Sequence, residues 1–235
     1  ALVIAVAGFW LMCYQLFDIL PNFIDDWVDS RAAATALQSI LTWDGAVPTV
    51  NGGNLTQQWM INLNAGLISL FAFLVGYYTC KVRSLVAIVV GIAVSAIGIY
   101  GLGLSMNGWV ILGAIGLFSV GEMLASPTKM RYLSSIAPPG RKGQYMGYVN
   151  FTVGIGWSIG SVVAGRWYEE GGDKINLARR YLEDHLGMAH QAAQDIDRGE
   201  VMDVLMSRAS VDAWGARDLL WNLYEPYSMW VYFTL

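Results

Sequence analysis

Long apolar runs separated by short polar breaks set the pattern of this chain. They fall at about residues 1–20, 59–80, 84–104, 109–136 and 144–168, and a sixth begins at 227–235. A helix needs roughly 20 consecutive apolar residues to cross a hydrocarbon layer of ~30 Å. Barrel strands would be about ten residues long with alternating polarity, and these runs are continuous and twice that length. The pattern predicts an all-α polytopic membrane helix bundle with five complete spans and a partial sixth.

Turn residues punctuate the runs. Pro21 and Asn22 are expected to close the first, and a polar connection over about 22–58 follows, rich in turn residues at "TVNGGN". Within it, "SRAAATALQSIL" reads as a short helix with Ser30 as N-cap. "SMNG" turns the chain after the third run, and "APPGRKG" breaks it after the fourth. A second polar segment at 169–226 reads as helical, with Leu177, Tyr181, Leu182 and Leu186 on one face. Both chain ends fall inside apolar runs, as expected for an internal portion of a longer protein.

Composition agrees with the pattern. The chain is 55% hydrophobic and only 14% charged, against about 25% charged in an ordinary soluble domain, and its mean hydropathy is +0.45. Cys13 and Cys80 form no CxxC pair and read as small packing residues. The net charge of −4 matters less than its distribution. Lys81 and Arg83 follow the second run, and Lys129, Arg131, Arg141 and Lys142 end the fourth and its link. The first connection instead holds Asp18, Asp25, Asp26, Asp29 and Asp44 against Arg31. The positive-inside rule places the basic links in the cytoplasm and the acidic connection and the 169–226 segment outside. The four basic residues read as orientation anchors or as part of a cytoplasmic gate.

Glu122 stands inside the fourth run. An ionised carboxylate at bilayer depth costs about 3 kcal/mol or more, so such a group faces a bundle interior or a wet cavity. There it binds cations, relays protons or pairs with a basic side chain. Ser126 and Pro127 follow; a proline inside a span frees a carbonyl and bends the helix, as a hinge or as a plain kink. Gln15 and Asp18 sit one turn apart on the first run, with Tyr14 and Trp10 on neighbouring turns. Asn62 and Asn64 are amides in the second run, suited to interhelical bonding or to a ligand. Gly156-x-x-x-Gly160 is a close-packing motif.

Other chemistry has no machinery here. HExxH, GxxxxGK[ST] and GxGxxG are absent from the sequence. His185 and His190, five apart, do not match the spacing of zinc ligands on one helix face. No enzyme activity, metal or other cofactor is expected, and the basic residues do not interleave with aromatics as nucleic-acid binding would require.

The stretch "GEMLASPTKMRYLSSIAPPGRKGQYMGYVNFTVGIGWSIGSVVAG" resembles the tenth and eleventh helices of major facilitator superfamily transporters. It is most similar to the proton-dependent oligopeptide transporter family. The features that carry this are Glu122, Ser126-Pro127, Ala137-Pro138 and Gly143-Gln144-Tyr145-Met146-Gly147. "FWLMCYQ", through Phe9, Trp10 and Gln15, looks like that family's seventh helix. The chain departs from the family at Tyr14, where an acid is usual, at Asn62 to Ala65, where Asn-Pro is usual, and at Thr128-Lys129. The resemblance implies the C-terminal six-helix half of a carrier working by proton-coupled alternating access in a plasma or bacterial inner membrane. It implies Glu122, Gln15, Asn62, Asn64, Tyr14 and Asp18 as residues around a small polar solute, di- or tripeptides among the candidates, and Ser126, Pro127, Gly156 and Gly160 as hinge or packing residues. The partners are then the solute, protons, the bilayer and an N-terminal half of the same chain. Nucleosides, sugars or other metabolites are the alternative solutes, and a non-transporting receptor or scaffold is the alternative class.

Overall fold

The computed structural model describes residues 2–43, 45–50 and 52–234. Asp44, one of the acids in the first connection, lies outside the described residues. Helices α1 (Leu2–Asp18), α2 (Leu20–Trp27) and α3 (Arg31–Ile40) lead into a small hairpin of β1 (Thr49–Val50) and β2 (Asn54–Leu55). Four long helices follow: α4 (Gln57–Thr79), α5 (Ser84–Gly101), α6 (Gly108–Ile136) and α7 (Lys142–Gly171). Short helices α8 (Lys174–Asp184), α9 (His190–Gln194), α10 (Val201–Ala209) and α11 (Ala213–Tyr224) complete the second polar segment. A 3-10 turn at Pro226–Ser228 starts α12 (Met229–Thr234).

Helices α4, α5 and α6 are each long and apolar enough to cross a membrane, and α1 with α2 makes a fourth if the bent pair counts as one span. Helix α7 has 30 residues. That is ample length at 1.5 Å per residue, but glycines, Asn150 and aromatic residues lower its hydropathy, so it does not pass on composition.

Pro21 does not close the first run. The chain bends by 43° after Asp18 and continues as α2. Pro21 sits in the first turn of α2, where a missing N–H breaks no helical bond. Leu20, Phe23, Ile24 and Trp27 then fall on one face and are buried, so the first part of the expected polar connection is amphipathic helix. Ser30 does precede α3, but its hydroxyl caps nothing in that helix. Instead Ser30 Oγ accepts from the Leu55 amide at 2.8 Å, and the Ser30 amide donates to Asn54 Oδ1 at 2.8 Å, tying α3 to the hairpin.

Helix α6 is the centre of the bundle. It packs along α5 and against α4, while α1 packs along α7. Small residues bring α5 and α6 together. A Cβ on Gly91 would meet the Ala125 amide nitrogen at 2.7 Å, and one on Gly98 would meet the Phe118 nitrogen at 2.6 Å. The α1–α7 pair uses the predicted glycines. A Cβ on Gly156 would lie 2.9 Å from the Leu11 nitrogen, and one on Gly160 would lie 2.9 Å from Gln15 Nε2. Close backbone approach of this kind drives helix association where lipid removes the hydrophobic incentive.

The outward faces are apolar. Leu70, Phe73, Val89 and Phe151 are well exposed, and only 17% of the most apolar window of α4 is covered by the rest of the chain. In water such a surface would be an aggregation liability; in a bilayer it is a lipid or protein contact.

The connections after α2, α5 and α7 meet at one end of the bundle. The Asp29 amide donates to the Met106 carbonyl at 2.7 Å, and the Gly108 amide donates to the Asp29 carbonyl at 2.8 Å. Trp27 Nε1 donates to the Gly172 carbonyl at 2.8 Å, and the Arg31 guanidinium stacks 4.2 Å over Trp214. Leu177 and Leu182 of α8 are buried, with Tyr181 and Leu186 half-buried beside them, so the predicted face of that helix seals this end.

Candidate functional site

Glu122 lies on the inner part of α6 and is half-buried. The amide of Asn64, on α4, is buried and spends both its hydrogens there. Asn64 Nδ2 donates to Glu122 Oε2 at 3.1 Å and to Ser119 Oγ at 3.0 Å. Ser119 in turn donates to the Ile115 carbonyl at 2.7 Å, one turn back along α6. A carboxylate held by one amide, with its second oxygen free of any side-chain donor described, is suited to taking up a proton or a cationic group.

Asn62 is not part of this arrangement. Two residues along a helix turn through about 200°, so Asn62 lies on the opposite face of α4 from Asn64. It is exposed and accepts from Gln58 Nε2 at 3.3 Å. Gln15 is fully buried at the contact of α1 with α7, and its Nε2 donates to the Leu11 carbonyl at 2.7 Å. Within this chain it packs an interface rather than lining a cavity.

Tyr14 stacks on Trp157 of α7 with ring centroids 4.9 Å apart, and Trp10 leans on Tyr14 at 5.8 Å. The three rings form an aromatic wall across α1 and α7. Asp18 lies further along, where Ser161 Oγ donates to it at 2.6 Å. It lines a cavity of about 810 Å³ at the end of the bundle, together with Asp25, Asp26, Glu169, Asp173 and Arg198. Glu122 does not line that cavity. Tyr168 Oη donates to Asp26, and Lys174 Nζ lies 3.5 Å from the same carboxylate. Arg198 pairs with Asp173, which holds the guanidinium above its ordinary pKa.

Pro127 sits inside α6, which runs on as one helix to Ile136. The proline removes the donor that would reach the Met123 carbonyl, leaving a soft point one turn from Glu122.

One basic residue differs from expectation. Lys129 is neither an anchor in an aqueous link nor exposed at a gate; only 3% of it reaches solvent. Its Nζ sits 3.5 Å over the Trp10 ring and 5.2 Å over that of Phe9. Arg131 reaches across to the end of α4. The sequence held a signal for Lys129: seven residues is two helical turns, so it shares the face of Glu122. Ser119, one turn before Glu122, shares that face as well. The stacking of Trp157 on Tyr14 had no local signal, because it joins helices far apart in the chain.

The profile of the Major Facilitator Superfamily matches residues 28–174, more than half of the chain. The chain belongs to the major facilitator superfamily. It is therefore an integral, multi-pass membrane protein of a transporter family.

Among curated relatives, the superfamily member "Multidrug resistance protein MdtH" of Sodalis glossinidius is 22% identical over 176 residues, covering 74% of this chain and 38% of that protein. The protein of the same name from Edwardsiella ictaluri is 20% identical over the same length and coverage. That of Salmonella newport is 22% identical over 170 residues, covering 72% of this chain and 37% of the relative. The chain thus spans less than two fifths of the length of these relatives. No solved structure matches it.

Proposed function

We propose that the full-length protein is a secondary active transporter and that this chain supplies its C-terminal half. Transport proceeds by proton-coupled alternating access, the two halves rocking about a site near the bilayer midplane. The observation that carries this is Glu122: a carboxylate on the central helix, held by Asn64 from a second helix, at a depth where ionised groups persist only for function or pairing. Glu122 is the proton or solute ligand, Asn64 orients it, and Pro127 gives α6 a point of flexure. The connections gathered after α2, α5 and α7 face outward, and the basic links at 81–83 and 137–142 face the cytoplasm of a plasma or bacterial inner membrane.

The solute is a small polar molecule, with di- and tripeptides favoured by the run from Glu122 to Gly147. A second reading, export of drugs, is supported by the names of the relatives, and the wall of Trp10, Tyr14 and Trp157 would suit flat aromatic ones. The test is proton-gradient-driven transport of dialanine and of ethidium by the full-length protein in liposomes. Glu122→Gln is expected to abolish gradient-driven movement of whichever probe is carried. Unchanged transport by that variant would remove Glu122 from the mechanism.

A further inference from the structure

Lys129 is a buried cation, and among the described residues no acid pairs with it. Among the described residues it joins no ion pair, and its Nζ has no hydrogen-bond partner. What holds it is the face of Trp10, at 3.5 Å, with Phe9 beyond. A cation over an indole gains about 0.5–2 kcal/mol, far less than full pairing of a desolvated charge requires. Trp10 Nε1 and Thr128 Oγ1 are also buried without partners nearby in the chain, so the surroundings of Lys129 are not a settled polar network.

The nearest acid on the same face is Glu122. Seven residues separate the two, a rise of about 10.5 Å along α6. The flexible four-carbon stem of lysine and the two-carbon stem of glutamate bridge much of that gap. Cys13 of α1 is buried and forms no disulfide. Helices α4 and α5 carry no acid, Asp18 of α1 accepts from Ser161, and the acids of α7, Glu169 and Glu170, stand at its far end. Among the described residues Glu122 is therefore the acid available to it.

We propose that Lys129 is the travelling counter-charge of Glu122. It rests on Trp10 while Glu122 holds its proton or solute, and it moves onto the carboxylate when that cargo leaves. The proton departs to water, the carboxylate is left negative, and the ammonium neutralises it without any further reactant. The empty carrier then crosses between its two states with no uncompensated charge in the bundle. This rests on the reading of Glu122 as the cargo-binding group. Lys129 is a positioning residue: it acts through Glu122 and not on the solute.

The experiment compares two modes in liposomes holding the full-length protein, with dialanine as the co-transported probe. One is gradient-driven net transport, which requires return of the empty carrier; the other is exchange of probe for probe, which does not. Lys129→Gln is expected to lower net transport at least tenfold while exchange stays within about twofold of the wild type. Lys129→Arg keeps the charge and should recover much of the net rate. In a Glu122→Gln background, Lys129→Gln should add nothing. Equal loss of net transport and exchange in Lys129→Gln, or effects of the two substitutions that multiply, would overturn the proposal.

If Lys129→Gln does not give a monodisperse protein, Trp10→Leu carries the test. It removes the resting place and should slow exchange by releasing Lys129 onto Glu122, whereas unchanged exchange overturns the idea. Should Glu122→Gln itself transport normally, the reading of the site fails and this inference with it. Should Glu122→Gln abolish coupling while Lys129→Gln keeps full net transport, the site stands and only the counter-charge falls.

Discussion

Arg131 closes the C-terminal end of α4 by donating from Nη2 to the Thr79 carbonyl at 2.9 Å. Its other terminal nitrogen lies 2.9 Å from Cys80 Sγ. The last carbonyls of a helix lack donors from within the helix and carry partial negative charge; Thr79 otherwise has only the Val82 amide, at 3.3 Å. A guanidinium from α6 meets both needs and fixes α4 to the central helix at the end opposite the short helices.

Removing that fork should loosen α4. Arg131→Ala is expected to cost about 1 kcal/mol, the usual worth of a charged group at a helix C-terminus plus a hydrogen bond. Arg131→Lys should recover only part of it, because a single ammonium cannot serve both acceptors in the same geometry. Thermal unfolding of the detergent-solubilised protein measures both. Equal stability of wild type and Arg131→Ala would show that the contact contributes nothing.

The contact of Asn64 with Glu122 makes a separate prediction. A double-mutant cycle of Asn64→Leu and Glu122→Leu isolates the pair from the packing each change disturbs. The coupling is expected at about 0.6 kcal/mol and no more than about 1.7, the average and the maximum seen for hydrogen bonds between membrane helices. The single change Asn64→Leu should cost more than the coupling, since it also strips Ser119 of its donor. Zero coupling would mean that the two side chains do not meet.

Asp29 gives a pH dependence outside the spans. Arg31 Nε donates to Asp29 Oδ1 at 2.9 Å and Nη2 to Oδ2 at 2.7 Å, and this bonding lowers the carboxyl below its ordinary pKa. A lowered folded-state pKa contributes stability that is present above the unfolded value and lost as pH falls through the folded one. The contribution should therefore be intact at neutral pH and fade below about pH 4, the ordinary range for aspartate. Because Arg31 also stacks on Trp214, the loss should release the contact between α3 and α11. Asp29→Asn should flatten that part of the acid limb in a series of unfolding curves; an identical limb in both proteins would count against it.

The fold class was legible because lipid imposes a crude rule: a span must be long, apolar and helical, and each of these is a property of consecutive residues. The carboxylate of Glu122 was legible for the same reason, as a violation of that rule. The close-packing role of Gly156 and Gly160 could be read from their spacing, though not that α1 would be the helix to approach them. Pro21 misled, because a proline that ends one helix also fits the first turn of the next, and the periodic burial of Leu20, Phe23, Ile24 and Trp27 decided between them.

What the sequence determined by itself was the set of helices, their apolar character and the acid among them, since those depend on local composition and period. Only the tertiary structure decided which face of α4 met Glu122, why Asn64 and not Asn62 was its partner, and that Lys129 lay under Trp10 instead of in water. Those outcomes depend on how helices far apart in the chain rotate and slide against each other. That geometry is set by small residues such as Gly91, Gly121 and Gly156 at the crossings, where backbones come close enough for one neighbour to exclude another.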